Sequence, residues 1–248
     1  MITTPLLMGL LALVVTTSFI GGVFGMAGGM ILMGVLLLYL PVPAAMVLHA
    51  VTQMSSNGWR ALLWGKYIVW PILGRYMIGL AASLAIFALV RFVPDRALVL
   101  LLLGLSPFVV VVLPERFALQ ADRRGGAEIC GLFCSALQFL SGVSGPSLDI
   151  FFVRTALDRR AVVATKAACQ LVTHLSRLLY FGGLTGISVD LGWTGLALCV
   201  AAAIAGTSLS RAVLERMTDG QFRAWTQRLV MAIGAVYIVQ ALYAYMQG

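Results

Sequence analysis

The sequence repeats itself at an offset of 117 residues, and this duplication constrains the fold more than any other feature. When the sequence is shifted by this offset, four polar positions in one half fall on four polar positions in the other. In each half they are spaced i, i+4, i+8 and i+11, which places them on one face of an α-helix. The positions are His49, Gln53, Asn57 and Arg60 in the first half and Lys166, Gln170, His174 and Arg177 in the second. The chain is therefore built from two copies of one unit.

The sequence around these positions is too apolar for a soluble protein. Hydrophobic residues make up 61% of the chain and charged residues only 10%, and several apolar runs are long enough to cross a bilayer. A charge at the centre of a membrane helix costs roughly 2.5 to 3.5 kcal/mol. The duplicated polar face therefore predicts a substrate pathway. The alternative is interhelical hydrogen bonding, which is worth about 0.6 kcal/mol for each bond.

Each half divides into five apolar segments separated by turn signals, and the predicted fold is an all-α polytopic membrane protein. The second segment of each half has only about 11 residues, too few to span the bilayer at about 1.5 Å per residue. We therefore expect about eight spanning helices and two short half-helices that follow glycine-rich loops. The segments are 6–24, 30–40, 44–63, 71–92 and 97–113, then 127–141, 146–156, 159–181, 193–212 and 224–246.

The two halves are expected to form an inverted repeat. Five segments is an odd number, so the second copy enters the membrane from the opposite side. Lys and Arg concentrate in the connections on one side, which by the positive-inside rule places both termini outside the cell. The first segment lacks a basic region and a small-residue cleavage site, so we expect a membrane helix rather than a removable signal peptide. The predicted units are a first transmembrane repeat over 1–113, a cytoplasmic linker over 114–126 and a second transmembrane repeat over 127–248.

The antiparallel polar faces predict where an anion would bind. His49 and Arg177 are expected at the outer mouth and Arg60 and Lys166 at the inner mouth, where all four would attract an anion. Amides and hydroxyls between the mouths can donate hydrogen bonds without holding an anion as tightly as a fixed charge. These candidate ligands are Gln53, Asn57, Gln170, Thr173 and His174.

The glycine-rich loops GMAGGM and GVSGPS provide a second kind of donor. Each precedes a short half-helix, whose free N–H groups and positive dipole end favour an anion. Close helix packing is the alternative role for glycine in a membrane. The candidate residues are Gly25, Gly28, Gly29, Gly142 and Gly145.

Asp149 is the only acidic residue predicted inside the membrane. It either neutralises a nearby base structurally or carries a proton that couples transport to the proton gradient, a role for which His174 is the other candidate.

Other classes of site are not supported by the sequence. The two histidines lie in different halves without a carboxylate or thiol at ligand spacing, so no metal site and no cofactor is expected. Cys130 and Cys134 are four residues apart and are expected to be buried thiols, like the other two cysteines. No catalytic or ATP-binding motif is present. The net charge of +8 comes from the membrane-facing loops and embedded bases, so no nucleic-acid partner is expected.

The chain resembles the TauE/SafE sulfite-exporter family of membrane permeases. The resemblance rests on FIGGVFGMAGGMILMGVLLLYLPVPAAMVLHAVTQMSSN in the first half and FLSGVSGPSLDIFFVRTALDRRAVVATKAACQLVTH in the second. It implies a secondary transporter of sulfite, sulfonates or other small anions in the bacterial inner membrane. Its partners would be the anion, membrane lipid and, as one option, a second copy of the chain in a homodimer. The alternatives are a passive anion channel and an intramembrane redox enzyme that uses Cys130 and Cys134.

Overall fold

The computed structural model is all-helical in the part of the chain that it describes, residues 4–112, 119–152, 155–184, 191–214, 216–217 and 219–247. Each of the ten predicted segments contains a helix, so the predicted all-α class is confirmed. The helices of the first half are α1 (Thr4–Phe24), α2 (Ala27–Tyr39), α3 (Val42–Leu63), α4 (Trp70–Val90) and α5 (Arg96–Val112). Those of the second half are α6 (Gly126–Ser141), α7 (Gly145–Phe152), α8 (Arg159–Leu178), α9 (Gly192–Leu214) and α10 (Asp219–Gln247).

Local sequence chemistry sets the helix boundaries. Pro41 precedes α3, and a second proline lies in the first turn of that helix, where its missing N–H costs no hydrogen bond. The side chain of Asp158 caps α8 by accepting hydrogen bonds from two backbone N–H groups. Gly142 ends α6 with a φ of 78°, a left-handed conformation that glycine adopts without steric cost.

The second helix of each half is short, as predicted. With 13 residues in α2 and eight in α7, neither reaches the roughly 30 Å of the hydrocarbon core. The loop before each helix contains a glycine with positive φ, Gly25 at 69° and Gly142 at 78°. These two glycines are equivalent under the offset, so both copies turn the chain in the same way.

By length and composition alone, four of the described helices could span a membrane. They are Thr4–Phe24, Trp70–Val90, Gly192–Val213 and Ala224–Met246. The sequence predicted about eight spanning helices. The difference arises because α3 and α8 carry the polar positions, while α5 and α6 have only 17 and 16 residues. The helices identify the chain as a polytopic membrane protein.

Helices that are equivalent under the offset make equivalent contacts. Helix α1 packs along α9, and the equivalent pair, α6 and α4, packs in the same way. Helix α3 packs against its own equivalent α8, and α5 against its equivalent α10. His49 near the start of α3 contacts Arg177 at the end of α8, so these two helices are antiparallel. An inverted repeat requires this arrangement, and it brings the two polar faces together.

Candidate functional site

A cavity of about 760 Å³ lies between α3, α8 and the two glycine-rich loops. The structure therefore brings together most of the site residues predicted from the sequence. The predicted residues that line the cavity are Gly25, Gly29, His49, Gln53, Asn57, Arg60, Gly142, Gly145, Asp149, Lys166, Gln170 and His174. Three others, Gly28, Thr173 and Arg177, are not among its lining residues.

The cavity opens at one end of the α3–α8 pair. Leu63 and Val163 line it where α3 ends and α8 begins, and their side chains are 49% and 38% exposed. At the opposite end, where α3 begins and α8 ends, Met46 and Arg177 are fully buried. We call these the open end and the closed end.

Positive charge dominates the cavity wall. Among the described residues, the cationic side chains that line the cavity are those of Arg60, Arg160, Lys166 and Arg211. Among the described lining residues the only acid is Asp149, which forms an ion pair with Lys166. Both members of this pair are about one-third exposed, at 31% and 29%. Arg60 and Arg160 add positive charge that Asp149 does not offset, so this wall favours an anion.

The two glycine-rich loops meet beside the amide side chains of the polar faces. A Cβ atom placed on Gly29 would lie 3.4 Å from Gln53 Oε1, and one placed on Gly145 would lie 3.8 Å from Gln170 Nε2. The same Cβ on Gly145 would lie 2.7 Å from Cβ of Met26, which belongs to the other loop. The starts of α2 and α7 and the two glutamines therefore form one central cluster of hydrogen-bonding groups.

At the closed end, His49 and Arg177 form a buried polar contact. His49 Nε2 lies 2.9 Å from the carbonyl oxygen of Gly29 and donates to it, which leaves Nδ1 as an acceptor. Arg177 Nη2 donates to this Nδ1 at 2.6 Å, and Nη1 donates to the carbonyl oxygen of Gly142. The imidazole is therefore neutral in this arrangement.

The sequence predicted Arg177 at one mouth of the pathway, and the structure places it at the closed end. Its side chain has no exposed surface, because the closed end is packed around it. Nε of Arg177 has no hydrogen-bond partner in the described part of the chain.

Gly28 and Thr173 make packing contacts rather than lining the cavity. A Cβ on Gly28 would overlap the backbone of Gly21, so the glycine permits α2 to approach α1 closely. The hydroxyl of Thr173 donates to the carbonyl of Cys169 at 2.7 Å and pairs with the hydroxyl of Tyr76 at 2.7 Å.

The sequence prediction missed Gln138, whose side chain is fully buried on α6. Its Nε2 lies 2.8 Å from Nδ1 of His174 and so orients that ring toward the cavity. The rings of His49 and His174 are 5.8 Å apart between centroids. An amide in the middle of a predicted membrane segment was the signal that could have identified Gln138.

The closed end also contains a buried aromatic cluster that the sequence did not indicate. Tyr180 packs against Phe139 at 5.4 Å and Phe181 at 4.9 Å between ring centroids. Its hydroxyl donates to the carbonyl oxygen of Phe92 at 2.8 Å. Tyr180 and Phe181 are neighbours in the sequence, but Phe139 joins them only after the helices have packed.

The cysteines lie away from the cavity lining. All four are buried free thiols, and Sγ of Cys130 is 3.9 Å from Sγ of Cys134. Within the described ranges, no group of three or more His, Cys, Asp or Glu residues could hold a metal ion.

Comparison with protein families shows which family this chain belongs to. The family model of the sulfite exporter TauE/SafE matches residues 10–237, nearly the whole chain. The chain belongs to the TauE/SafE family. This confirms the resemblance found in the sequence, and TauE/SafE proteins are membrane transporters of sulfite or related anions. Comparison with curated proteins and with solved structures gives no match.

Proposed function

We propose that this protein is a secondary transporter that moves a small oxyanion, sulfite or an organosulfonate, across the bacterial inner membrane. The observation that carries the proposal is the charge of the cavity. Arg60, Arg160 and Lys166 are among its described lining residues, and the one acid among these residues is paired with Lys166. Ionisable side chains within a membrane protein are costly, and where they line a cavity they mark a pathway for a substrate or ion.

The oxyanion would bind at the central cluster. Gln53, Gln170 and the backbone N–H groups at Gly29 and Gly145 offer hydrogen bonds to its oxygens, while the starts of α2 and α7 offer their positive dipole ends. Amide donors would bind the anion without trapping it, as a transport cycle requires. No cofactor takes part in this scheme.

The shape of the cavity favours a transporter over a passive channel. A channel needs a continuous path, whereas a transporter closes one side of its site while the other is open. The cavity ends at the buried contact between His49 and Arg177, and Tyr180, three residues after Arg177, is buried as well. Because connections rich in Lys and Arg flank the open end, we place this end in the cytoplasm.

Ligand binding to the purified protein tests the substrate class. The change in unfolding temperature is measured for each ligand of a panel: sulfite, sulfate, thiosulfate, sulfoacetate, taurine and simple carboxylates. A ligand present at about 100 times its dissociation constant stabilises the folded protein by about 2.7 kcal/mol. We expect sulfite or an organosulfonate to stabilise most and to cross the membrane of proteoliposomes.

Amide substitutions connect binding to the cavity. Gln53→Ala and Gln170→Ala should each weaken binding and slow transport, since a lost donor leaves an oxyanion oxygen unpaired at about 1 to 3 kcal/mol. Gln120→Ala is the matched control, because this amide lies in the 119–125 turn region and does not line the cavity. Wild-type transport in both cavity variants, or no stabilisation by any oxyanion, would refute the proposal.

A further inference from the structure

Positions that are equivalent under the 117-residue offset have opposite environments at the two ends of the cavity. Met46 is fully buried at the closed end, whereas its equivalent Val163 lines the open end. The same is true of Tyr180, which is 1% exposed, and its equivalent Leu63. The two copies are therefore in different conformations in one structure.

The two equivalent arginines show this difference most directly. Arg177 is fully buried and donates to the carbonyl oxygen of Gly142, the glycine with positive φ after α6. Arg60 lines the cavity and donates at 3.3 Å to the carbonyl oxygen of Gly21, one helical turn before Gly25. Arg60 is thus one turn short of the contact that its equivalent makes.

The first copy has space for the missing contact. Gly25 has a φ of 69°, close to that of Gly142, so its backbone has the same turn. A Cβ placed on Gly25 would meet no atom within 4 Å, whereas one on Gly142 would lie 3.0 Å from Arg177 Nη1. The space that Arg177 fills at the closed end is therefore open at the equivalent place.

We propose that Arg177 and Arg60 are the two gate residues of an alternating-access cycle, each closing its own end by binding the carbonyl of its positive-φ glycine. This inference rests on the proposed transport function. In the conformation described, the contact between Arg177 and Gly142 closes one end. In the opposite conformation Arg60 binds the carbonyl of Gly25, Arg177 becomes exposed, and the closed end opens to the other side of the membrane.

The two gates differ in their charge, because the equivalent of His49 is Lys166. Neutral His49 accepts a hydrogen bond from Arg177, but an ammonium group has no acceptor and would repel Arg60. Asp149, which has Leu32 as its equivalent, pairs with Lys166 and supplies negative charge beside this second gate. The ion pair therefore allows two cationic side chains to approach when the open end closes.

Thiol accessibility tests the proposal without a substrate. Met46→Cys and Val163→Cys are placed separately in a chain whose four natural cysteines are replaced by alanine. Each reporter is reacted with a charged, water-soluble thiol reagent on protein in lipid nanodiscs, where both faces are accessible. The Val163→Cys reporter should react rapidly and the Met46→Cys reporter slowly, reflecting the conformation described.

Substitutions of the two gate arginines should change the reaction rate of the Met46→Cys reporter in opposite directions. Arg177→Lys keeps the charge but loses the two-pronged geometry of the guanidinium, so the rate at the Met46→Cys reporter should rise about fivefold or more. Arg60→Lys weakens the opposite conformation, so the same rate should fall below that of the parent. Arg75→Lys is the matched control, since Arg75 donates to backbone carbonyls at residues 121 and 123 and does not line the cavity.

The outcomes separate this inference from the transport proposal. If Arg177→Lys leaves the Met46→Cys reporter at the parent rate, or if both gate variants raise it equally, the gate assignment is overturned. If Arg177→Lys does not elute as folded protein on size exclusion, the slower reaction of the Met46→Cys reporter expected in Arg60→Lys decides the matter. Opposite changes in the reporter rate without any anion transport would support the gate assignment and refute the transport proposal. Anion transport without these changes in rate would support the transport proposal and refute the gate assignment.

Discussion

Neutralising Asp149 should tighten anion binding, and this prediction tests the electrostatic account of the cavity most directly. Asp149 is the one acid among the described lining residues, and its partner Lys166 also lines the cavity. Asp149→Asn keeps the size of the side chain while removing its negative charge. Lys166 would then be free to pair with the anion.

The magnitude follows from the exposure of the ion pair. Both side chains are about one-third exposed, at 31% and 29%, so an effective dielectric constant of about 40 is reasonable, between the near-surface and water values. At a distance of about 6 Å, one unit charge then contributes about 1.4 kcal/mol to the binding free energy. That energy corresponds to roughly a tenfold lower dissociation constant.

Isothermal titration of the purified variant with sulfite at low and high salt measures this effect. The gain should shrink as ionic strength rises, because dissolved ions screen charges in a water-filled cavity. Lys166→Gln should weaken binding, and Asp122→Asn, a matched substitution that does not line the cavity, should leave it unchanged. Equal or weaker affinity in Asp149→Asn would refute the electrostatic account.

The same variant separates the two roles predicted for Asp149. If Asp149 carries a coupling proton, Asp149→Asn should abolish uptake driven by a pH gradient in proteoliposomes while anion exchange continues. If Asp149 only neutralises Lys166, the response to the pH gradient should persist. The ion pair in the structure favours the second outcome.

Two further predictions concern the loops and the orientation. Gly142→Ala should lower the unfolding temperature more than Gly25→Ala. Both variants lose about 1 to 2 kcal/mol of stability because alanine must adopt a left-handed conformation. Only at Gly142 would the new Cβ also approach Met33 Cε, to 2.6 Å. Equal losses in the two variants would contradict the tight packing inferred at the closed end. A reporter domain fused after Gly125 should be active in the cytoplasm, because the flanking connections hold most of the Lys and Arg residues, and activity outside would reverse the assignment of the open end.

The sequence by itself determined the helices, the internal equivalence and the charge of the site. The 117-residue offset aligned His49 with Lys166 and Arg60 with Arg177, and helical periodicity placed each set on one face. The glycine-rich loops predicted the starts of the short helices, because glycine permits the positive φ that both turns adopt at Gly25 and Gly142. These signals are local or depend on a fixed offset, so they can be read without knowing how the helices pack.

Only the tertiary structure decided which end of the cavity is open and which arginine is buried. The sequence treats Arg60 and Arg177 alike, yet Arg177 is buried by its contact with His49, which lies 128 residues away in the chain. The roles of Gln138 and Tyr180 depend on such long-range contacts as well. The duplication places an arginine at equivalent positions of the two copies, and only the packing of the whole molecule decides which of the two is buried.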